Sequence, residues 1–154
     1  MTDAEALIRC ITVLHGPNLN LLGRREVALY GQTTLAEIDE ELARRAAAWG
    51  FRIRCFQENG EGELVRRVHE AAETAGLLLN AAGYTHTSVA LRDAIVAVGI
   101  PTVEVHLTNI YSREPFRRRS LLAPVCIGLV CGFGPRSYYL ALQGLIDHLK
   151  DRMA

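Results

Sequence analysis

Three consecutive leucines, Leu77 to Leu79, form an uninterrupted apolar run that stops at Asn80. A strand with one solvent-exposed face alternates apolar and polar side chains, whereas an unbroken apolar run is typical of a strand buried on both faces. Strands of that kind occur in parallel sheets that helices cover on two sides. The run therefore predicts an α/β protein built around a covered parallel sheet.

Extended and helical patterns alternate along the rest of the chain. The predicted strands are 9–14, 51–57, 77–79, 100–106 and 125–131, and the alternating basic residues of 51–57 place it at a sheet edge. A capping-box pattern at Thr34 begins the first predicted helix, whose apolar positions are Leu35, Ile38, Leu42, Ala46 and Trp49. Further helices are predicted over 62–74, over 88–98 and from Pro135 onward. This order favours a five-stranded, doubly wound sheet, in which ligands bind beyond the carboxyl ends of the strands.

The composition indicates one globular domain without a charge bias. The chain has 154 residues, of which 49% are apolar and 22% charged, enough to bury a substantial core. Its 17 basic residues balance 17 acidic ones, so the net charge favours neither nucleic acid nor a membrane surface. The run Arg117 to Arg119 is interpreted as a local anion contact or a solvated patch. We expect residues 1–8 to be a flexible N-terminal extension and residues 9–154 to form the domain.

The sequence predicts a cytoplasmic protein. The N-terminal residues carry Asp3 and Glu5 and show no signal peptide, and no stretch reaches the roughly 18 apolar residues of a membrane span. Four cysteines lie in or beside predicted strands, which favours buried and reduced thiols. Cys126 and Cys131 would face opposite sides of one strand, so we expect no shared metal ion there.

A polar loop follows the first predicted strand. The strand breaks at His15, and the loop then presents Asn18, Arg24, Arg25 and Tyr30 between Gly23 and Gly31. An amide, two guanidinium groups and a phenol on one glycine-flanked loop are consistent with a binding or catalytic lid. They are equally consistent with an ordinary polar surface loop, and the local pattern leaves both interpretations open.

Polar residues also end the third and fourth predicted strands. Asn80 ends one, and Glu104 and His106 project from the same face of the other because strand side chains alternate. A carboxylate beside an imidazole fixes the tautomer of the ring and suits it to donate or accept a proton. A solvated pair at a strand end is the plain alternative, but three polar strand ends in one crevice favour a site.

Two other chemistries fit less well. Glu104, His106 and His86 offer zinc ligands, but the chain has no dense cluster of histidine, cysteine and aspartate with metal-ligand spacing. A Schiff-base mechanism requires a lysine, and Lys150, near the end of a predicted surface helix, is the only one. We therefore expect neither a bound metal ion nor a Schiff-base lysine.

Several segments in order resemble the type II 3-dehydroquinate dehydratases, also called type II 3-dehydroquinases. They are G-P-N-L-N-L-L-G-R-R-E at 16–26, Y-G at 30–31, G-E-L at 62–64, T-H-T-S-V-A-L-R-D-A at 85–94, V-E-V-H at 103–106 and R-E-P-F-R at 113–117. The resemblance implies a flavodoxin-like three-layer fold with a five-stranded parallel sheet. It also implies a homododecamer made of four trimers, with 3-dehydroquinate as substrate.

The resemblance further implies a cofactor-free anti elimination of water through an enolate. By matching position, Tyr30 accepts the proton at C2 and Arg25 stabilises its phenolate. His106 protonates the departing hydroxyl, Glu104 orients His106, and Asn18 holds a water on the enolate. The substrate contacts implied are Asn80, His86, Arg117, the backbone of Leu107 and Thr108, and Asp93 from across a subunit boundary.

The chemistry of these residue types is self-consistent. A free phenol keeps its proton at neutral pH, so a tyrosine acts as a base only where a nearby cation favours its anion. Arg25 lies five residues before Tyr30 and stays charged throughout. We expect the lid to close before the base becomes active.

Two departures from the family pattern affect the lid and its surroundings. Val27 stands where relatives usually have proline, which predicts a less rigid lid, and Arg118 and Arg119 replace frequent histidines. Neither change removes a predicted catalytic group. The alternative functions left open are a non-catalytic domain that binds small anions and a metal-dependent lyase.

Overall fold

A computed structural model describes residues 8–154, so residues 1–7 of the predicted N-terminal extension lie outside the described part of the chain. Within it, five strands form one sheet in the order β2-β1-β3-β4-β5, and every neighbouring pair is parallel. The strands are β1 Cys10–His15, β2 Arg52–Gln57, β3 Gly76–Asn80, β4 Thr102–His106 and β5 Gly128–Cys131. This is the flavodoxin-like strand order, and it confirms the predicted fold and the edge position of β2.

The α-helices of the described residues are α1 Val27–Tyr30, α2 Leu35–Ala48, α3 Glu61–Glu70, α4 Val89–Val98 and α5 Arg136–Met153. The predicted helix over 62–74 is too long, because Ala71–Glu73 tightens into a 3-10 turn after α3. The predicted strand 125–131 is also too long, since Ala123–Val125 forms a 3-10 turn around Pro124 and β5 begins only at Gly128. No helix in this part of the chain is long and apolar enough to cross a bilayer.

The central strand β3 is buried on both faces, as its leucine run predicts. Leu78 packs in a core layer with residues of α2 and α5, including Leu42 and Leu145. Leu77 and Leu79 pack in the opposite layer with α3 and α4. All three leucines are fully excluded from solvent. The alternation of side chains along one strand thus produces the three-layer arrangement.

The start of α2 confirms the capping box, whereas its last predicted apolar position is wrong. The Thr34 hydroxyl accepts from the Glu37 amide at 3.2 Å, and the Glu37 carboxylate accepts from the Thr34 amide at 2.8 Å. Trp49 follows the last helical residue and is 45% exposed. The ammonium of Lys150 lies 3.5 Å from the centre of the Trp49 ring, so this tryptophan covers the surface rather than the core.

The four cysteines are free thiols. Cys10 is buried, and the other three are partly buried. The placement of Cys126 and Cys131 on one strand is wrong, because Cys126 precedes β5 by two residues. Burial, with a smaller effect of the Glu104 charge, raises the pKa of Cys126 to about 12, so this thiol stays protonated at neutral pH.

Candidate active site

The carboxyl ends of β1, β3 and β4 surround a pocket of about 180 Å³. In a sheet of this strand order the chain connections diverge at β1 and β3, which opens a crevice above those strands. The structure places nine of the predicted site residues in its lining: Asn18, Arg25, Tyr30, Asn80, His86, His106, Leu107, Thr108 and Arg117. Glu104 lies behind His106, and Asp93 lies elsewhere on α4.

The turn after β1 approaches the turn after β3 closely. Gly16 donates its amide to the Asn80 carbonyl at 2.7 Å, and a Cβ at position 16 would lie 2.6 Å from the carbonyl oxygen of Ala81. Asn18 follows with a φ of 70°, and its backbone amide donates to Oδ1 of Asn59 at 3.0 Å. The absence of a side chain at Gly16 therefore lets the loops that carry Asn18 and Asn80 converge.

His106 and Glu104 form a buried pair at the end of β4. Nε2 of His106 lies 2.7 Å from Oε1 of Glu104, and the carboxylate is fully excluded from solvent. Since a carboxylate only accepts, the ring donates from Nε2. Nδ1 of His106 has no hydrogen-bond partner within residues 8–154 and remains for a ligand in the pocket. Glu104 thus holds the His106 ring in place through a hydrogen bond to one of its two nitrogens.

Two hydroxyl groups stabilise Glu104 in its buried position. Thr85 donates to Oε1, and Ser120 donates to both carboxylate oxygens at 2.8 and 2.9 Å. Burial alone would raise the pKa of Glu104, but the hydrogen bond and charge of His106, with these two hydroxyls, hold it below its usual value. The carboxylate is therefore ionised at neutral pH. Sequence reasoning gave Thr85 and Ser120 no role, although both lie in or beside the matched motifs.

One ring nitrogen of His86 is also hydrogen-bonded to the protein. Its Nδ1 donates to the backbone carbonyl of Arg119 at 2.8 Å, which leaves Nε2 for a ligand. The His86 and His106 rings stack with their centres 6.5 Å apart. Arg119, one of the two departures from the family pattern, contributes here through its backbone, so the substitution leaves this contact intact.

The phenol of Tyr30 lies between two guanidinium groups at the end of α1. Nη1 of Arg113 donates to the Tyr30 hydroxyl at 3.0 Å. The guanidinium carbon of Arg25 lies 4.7 Å from the ring centre, and Nη2 of Arg25 pairs with Glu26 at 2.8 Å. The cation that contacts the phenol oxygen is therefore Arg113, while the expected cation, Arg25, contacts the ring face.

Sequence reasoning assigned no role to Arg113. Arg113 begins the matched R-E-P-F-R segment, but the resemblance implies a role only for Arg117 in that segment. Arg118, the second departure from the family pattern, donates from Nε to the Arg113 carbonyl at 3.0 Å. The loop after β4 thus supplies the partner of Tyr30. The effect of Val27, the first residue of α1, on this lid stays a prediction.

Several candidates from the sequence lie outside the pocket lining. Arg24 is an exposed loop residue, and Asp93 is exposed on α4. Lys150 packs on Trp49 near the end of α5, so no lysine lines the pocket. His15 is completely buried beneath the pocket floor, where its two ring nitrogens contact Asp39 and Tyr138.

The metal-site interpretation named Glu104, His106 and His86. Among the described residues, the side chains close enough to share an ion are instead His15, Asp39 and Cys55, whose ligand atoms lie within 4.8 Å of one another. Both nitrogens of His15 are engaged in hydrogen bonds. Burial, followed by the charge of Asp39, raises the pKa of Cys55, which disfavours the thiolate that a metal needs.

Residues 9–146 match the protein family described as dehydroquinase class II. The chain belongs to the class II dehydroquinase family. A 3-dehydroquinate dehydratase of Nostoc sp. is 60% identical over 141 residues, which cover 91% of this chain and 96% of that protein. One from Parasynechococcus marenigrum is 56% identical over 142 residues, covering 92% and 97% of the two chains. The resemblance found in the sequence is confirmed.

Solved structures of family members have the same fold as this dehydroquinase family member. The type II dehydroquinase of Butyrivibrio crossotus aligns with a TM-score of 0.87 at 36% identity, covering 90% of this chain and 97% of that one. The type II dehydroquinase of Propionibacterium acnes aligns with a TM-score of 0.86 at 35% identity, covering 92% and 98%. The shared fold thus extends over nearly the whole of each chain.

Proposed function

We propose that this class II dehydroquinase family member removes water from 3-dehydroquinate to form 3-dehydroshikimate, in aromatic biosynthesis or in quinate catabolism. One observation carries the proposal. A phenol bound by a guanidinium, Tyr30, and an imidazole bound by a carboxylate, His106, line the same pocket. A potential base and a potential acid in one pocket are what an elimination of water requires.

Tyr30 is the base in this proposal. As a phenolate it removes the proton at C2, and the electron pair of the broken bond forms an enolate with the neighbouring carbonyl. Arg113, at the phenol oxygen, and Arg25, at the ring face, favour the phenolate because both are permanent cations. Asn18 holds a water that stabilises the enolate oxygen. The geometry supports two cations for one phenol, where the sequence suggested one.

His106 is the acid. The imidazolium donates its Nδ1 proton to the departing hydroxyl, which leaves as water as the enolate collapses to the conjugated enone. Glu104 keeps Nε2 protonated and stabilises the charged ring before the transfer. Because the side chains supply both proton transfers, the mechanism needs no cofactor or metal ion.

The remaining pocket residues hold the substrate in the proposal. Asn80, His86 and Arg117 contact its hydroxyl groups, and the backbone of Leu107 and Thr108 binds its carboxylate. Arg117 is itself positioned by Glu114, whose Oε2 lies 2.9 Å from Nε. These roles rest on the position of the five residues around the pocket.

We infer that Asp93 completes the pocket of a neighbouring subunit in a homododecamer of four trimers. The support is its place on the outer face of α4. Val89 and Val96 lie on the same face of this helix and are 58% and 60% exposed. An exposed apolar stripe around a carboxylate is typical of a surface that another subunit covers.

We further propose that residues 9–154 form a single domain and that the enzyme works in the cytoplasm. The two core layers on either side of one sheet support the first point. The four unpaired thiols fit the second, because the cytoplasm keeps cysteines reduced.

The direct test is the conversion of 3-dehydroquinate by the purified protein, followed by the ultraviolet absorbance of the enone product. We expect turnover that persists after treatment with a chelator and is not abolished by borohydride added with substrate. The matched control is Tyr30→Phe, which keeps the ring and loses the base. No absorbance change at high enzyme concentration would overturn the proposal, and binding without turnover would identify a non-catalytic anion-binding domain instead.

A further inference from the structure

A row of four hydrogen-bonded side chains runs from the surface of α2 to the pocket. Nε2 of His15 lies 2.7 Å from Oδ1 of Asp39, and Nδ1 of His15 lies 2.8 Å from the Tyr138 hydroxyl. The Tyr138 hydroxyl in turn accepts from Nδ2 of Asn80 at 3.1 Å. Asn80 lines the pocket, whereas His15 and Tyr138 are completely buried and do not. The mechanism proposed above uses none of the first three residues.

The chemistry of the four groups gives every hydrogen bond in the row one direction. The Asp39 carboxylate only accepts, so His15 donates to it from Nε2. A neutral ring then accepts at Nδ1, so Tyr138 donates its hydroxyl hydrogen to His15 and has its lone pairs left for Asn80. A charged His15 would donate from both nitrogens and leave the Tyr138 hydrogen without an acceptor. The row is therefore fully satisfied in one arrangement.

The environment of Tyr138 keeps its hydroxyl group protonated, so that it can donate a hydrogen bond. Complete burial on α5 raises the pKa of its hydroxyl, although the hydrogen bond from Asn80 acts in the opposite sense. The hydroxyl thus retains its hydrogen at neutral pH. Its oxygen must then be approached by a donor, which requires the nitrogen of the Asn80 amide and not its oxygen.

The opposite end of the Asn80 amide is fixed as well. The Ala82 amide donates to Oδ1 of Asn80 at 3.1 Å, so this atom is the oxygen. Ala82 adopts a φ of 51°, which is unusual for a residue with a side chain. The atoms left for a ligand are the second hydrogen on Nδ2 and the second lone pair on Oδ1.

We propose that Asp39, His15 and Tyr138 are positioning residues that set the orientation of the Asn80 amide for the substrate. This inference rests on the proposed contact between Asn80 and a substrate hydroxyl. The carboxylate fixes the tautomer of His15, the tautomer fixes the direction of the Tyr138 hydroxyl, and the hydroxyl selects the nitrogen end of Asn80. A partly exposed carboxylate on α2 thereby acts together with the Ala82 amide in setting which amide atom meets the substrate.

The main test is Tyr138→Phe, with Tyr139→Phe as the matched control. Tyr139 is the next residue of α5, but its ring packs under Arg45 at the surface and takes no part in the row. We expect Tyr138→Phe to raise KM about tenfold, the scale for a buried donor left unsatisfied, with kcat changed less than about threefold. Tyr139→Phe should leave both constants unchanged. A KM within twofold of the original for Tyr138→Phe overturns the inference.

A double-variant cycle separates positioning from general stability. If Tyr138 acts through Asn80, Tyr138→Phe should have no further effect on KM in an Asn80→Ala background. Effects that multiply would show that Tyr138 acts independently of Asn80 and would overturn the inference. Unchanged kinetics in Asn80→Ala alone would instead overturn the proposed substrate contact. The two failures are therefore distinguishable.

Asp39→Ala provides a second route in case Tyr138→Phe folds poorly. Asp39 is partly exposed, so its loss leaves no buried cavity. We expect KM to rise about threefold in the original background and not at all with Asn80→Ala, with a smaller effect than that of Tyr138→Phe because water can replace the carboxylate. If Asp39→Ala still raises KM threefold in the Asn80→Ala background, the proposed order of the row is contradicted.

Discussion

The Tyr30 hydroxyl accepts a hydrogen bond from Nη1 of Arg113 at 3.0 Å, although 83 positions separate the two residues. Tyr30 ends the short helix α1 after β1, and Arg113 lies in the loop after β4. The contact therefore joins two of the loops that rise from the carboxyl edge of the sheet. It places a permanent positive charge at the oxygen atom that acts as the base in the proposed mechanism.

Replacing Arg113 by methionine should lower kcat by on the order of 10²-fold, the scale for the loss of one electrostatic contact to a developing charge. Methionine keeps much of the side-chain length and removes the charge, so the phenolate loses its nearest cation. Steady-state kinetics would measure the loss, with Arg66→Met on the exposed face of α3 as the control. Adding Arg113→Met to Tyr30→Phe should change little, and turnover within threefold of the original in Arg113→Met would remove Arg113 from the mechanism.

Replacing the proposed acid, His106, should lower kcat more than replacing its partner, Glu104. We expect His106→Ala to lower kcat by about 10²- to 10⁴-fold, and Glu104→Gln by about 10²-fold, because glutamine no longer stabilises the charged ring. Circular dichroism would check that both variants fold. Near-normal turnover in His106→Ala would assign the acid to another residue, for which His86 is the neighbouring candidate.

Stability should depend on the ionisation of Glu104. Its pKa in the folded protein lies below the reference value of 4.5, so the folded state binds the proton less tightly than the unfolded state does. The resulting stabilisation is complete above about pH 4.5 and is lost as the pH falls through the folded-state pKa. Urea unfolding at a series of pH values should show the largest difference between the wild type and Glu104→Gln near neutrality. A difference that grows toward pH 3 would contradict this assignment.

Gly16→Ala should destabilise the protein and disturb the pocket together. The new methyl group would meet the Ala81 carbonyl at 2.6 Å, an overlap that costs about 1–3 kcal/mol or separates the two loops. Gly62→Ala is the control, since a Cβ there meets no atom within 4 Å and alanine suits the helix α3. Thermal unfolding would report the cost, and KM would report the displacement of Asn18 and Asn80. Equal stability of the two variants would show that the close approach is not required.

Local patterns in the chain predicted most of the fold. The leucine run of β3, the capping box at Thr34 and the alternation within β2 each depend on near neighbours in sequence, and the structure confirms all three. The errors lie at element ends, where Pro124 and the residues after α3 form 3-10 turns. Trp49 was misplaced because helical spacing continues to it, whereas the helix itself stops at Ala48.

The amino-acid sequence by itself determined the parallel three-layer fold, the family and the identity of the residues around the pocket, because each is encoded in local periodicity or in a contiguous motif. Only the tertiary structure decided which side chains from segments distant in sequence pair. Arg113 rather than Arg25 reaches the oxygen of Tyr30, and His15, at the end of β1, faces Asp39 and Tyr138 instead of the pocket. Such pairings depend on how loops from distant strands meet at one sheet edge, and no local pattern records that geometry.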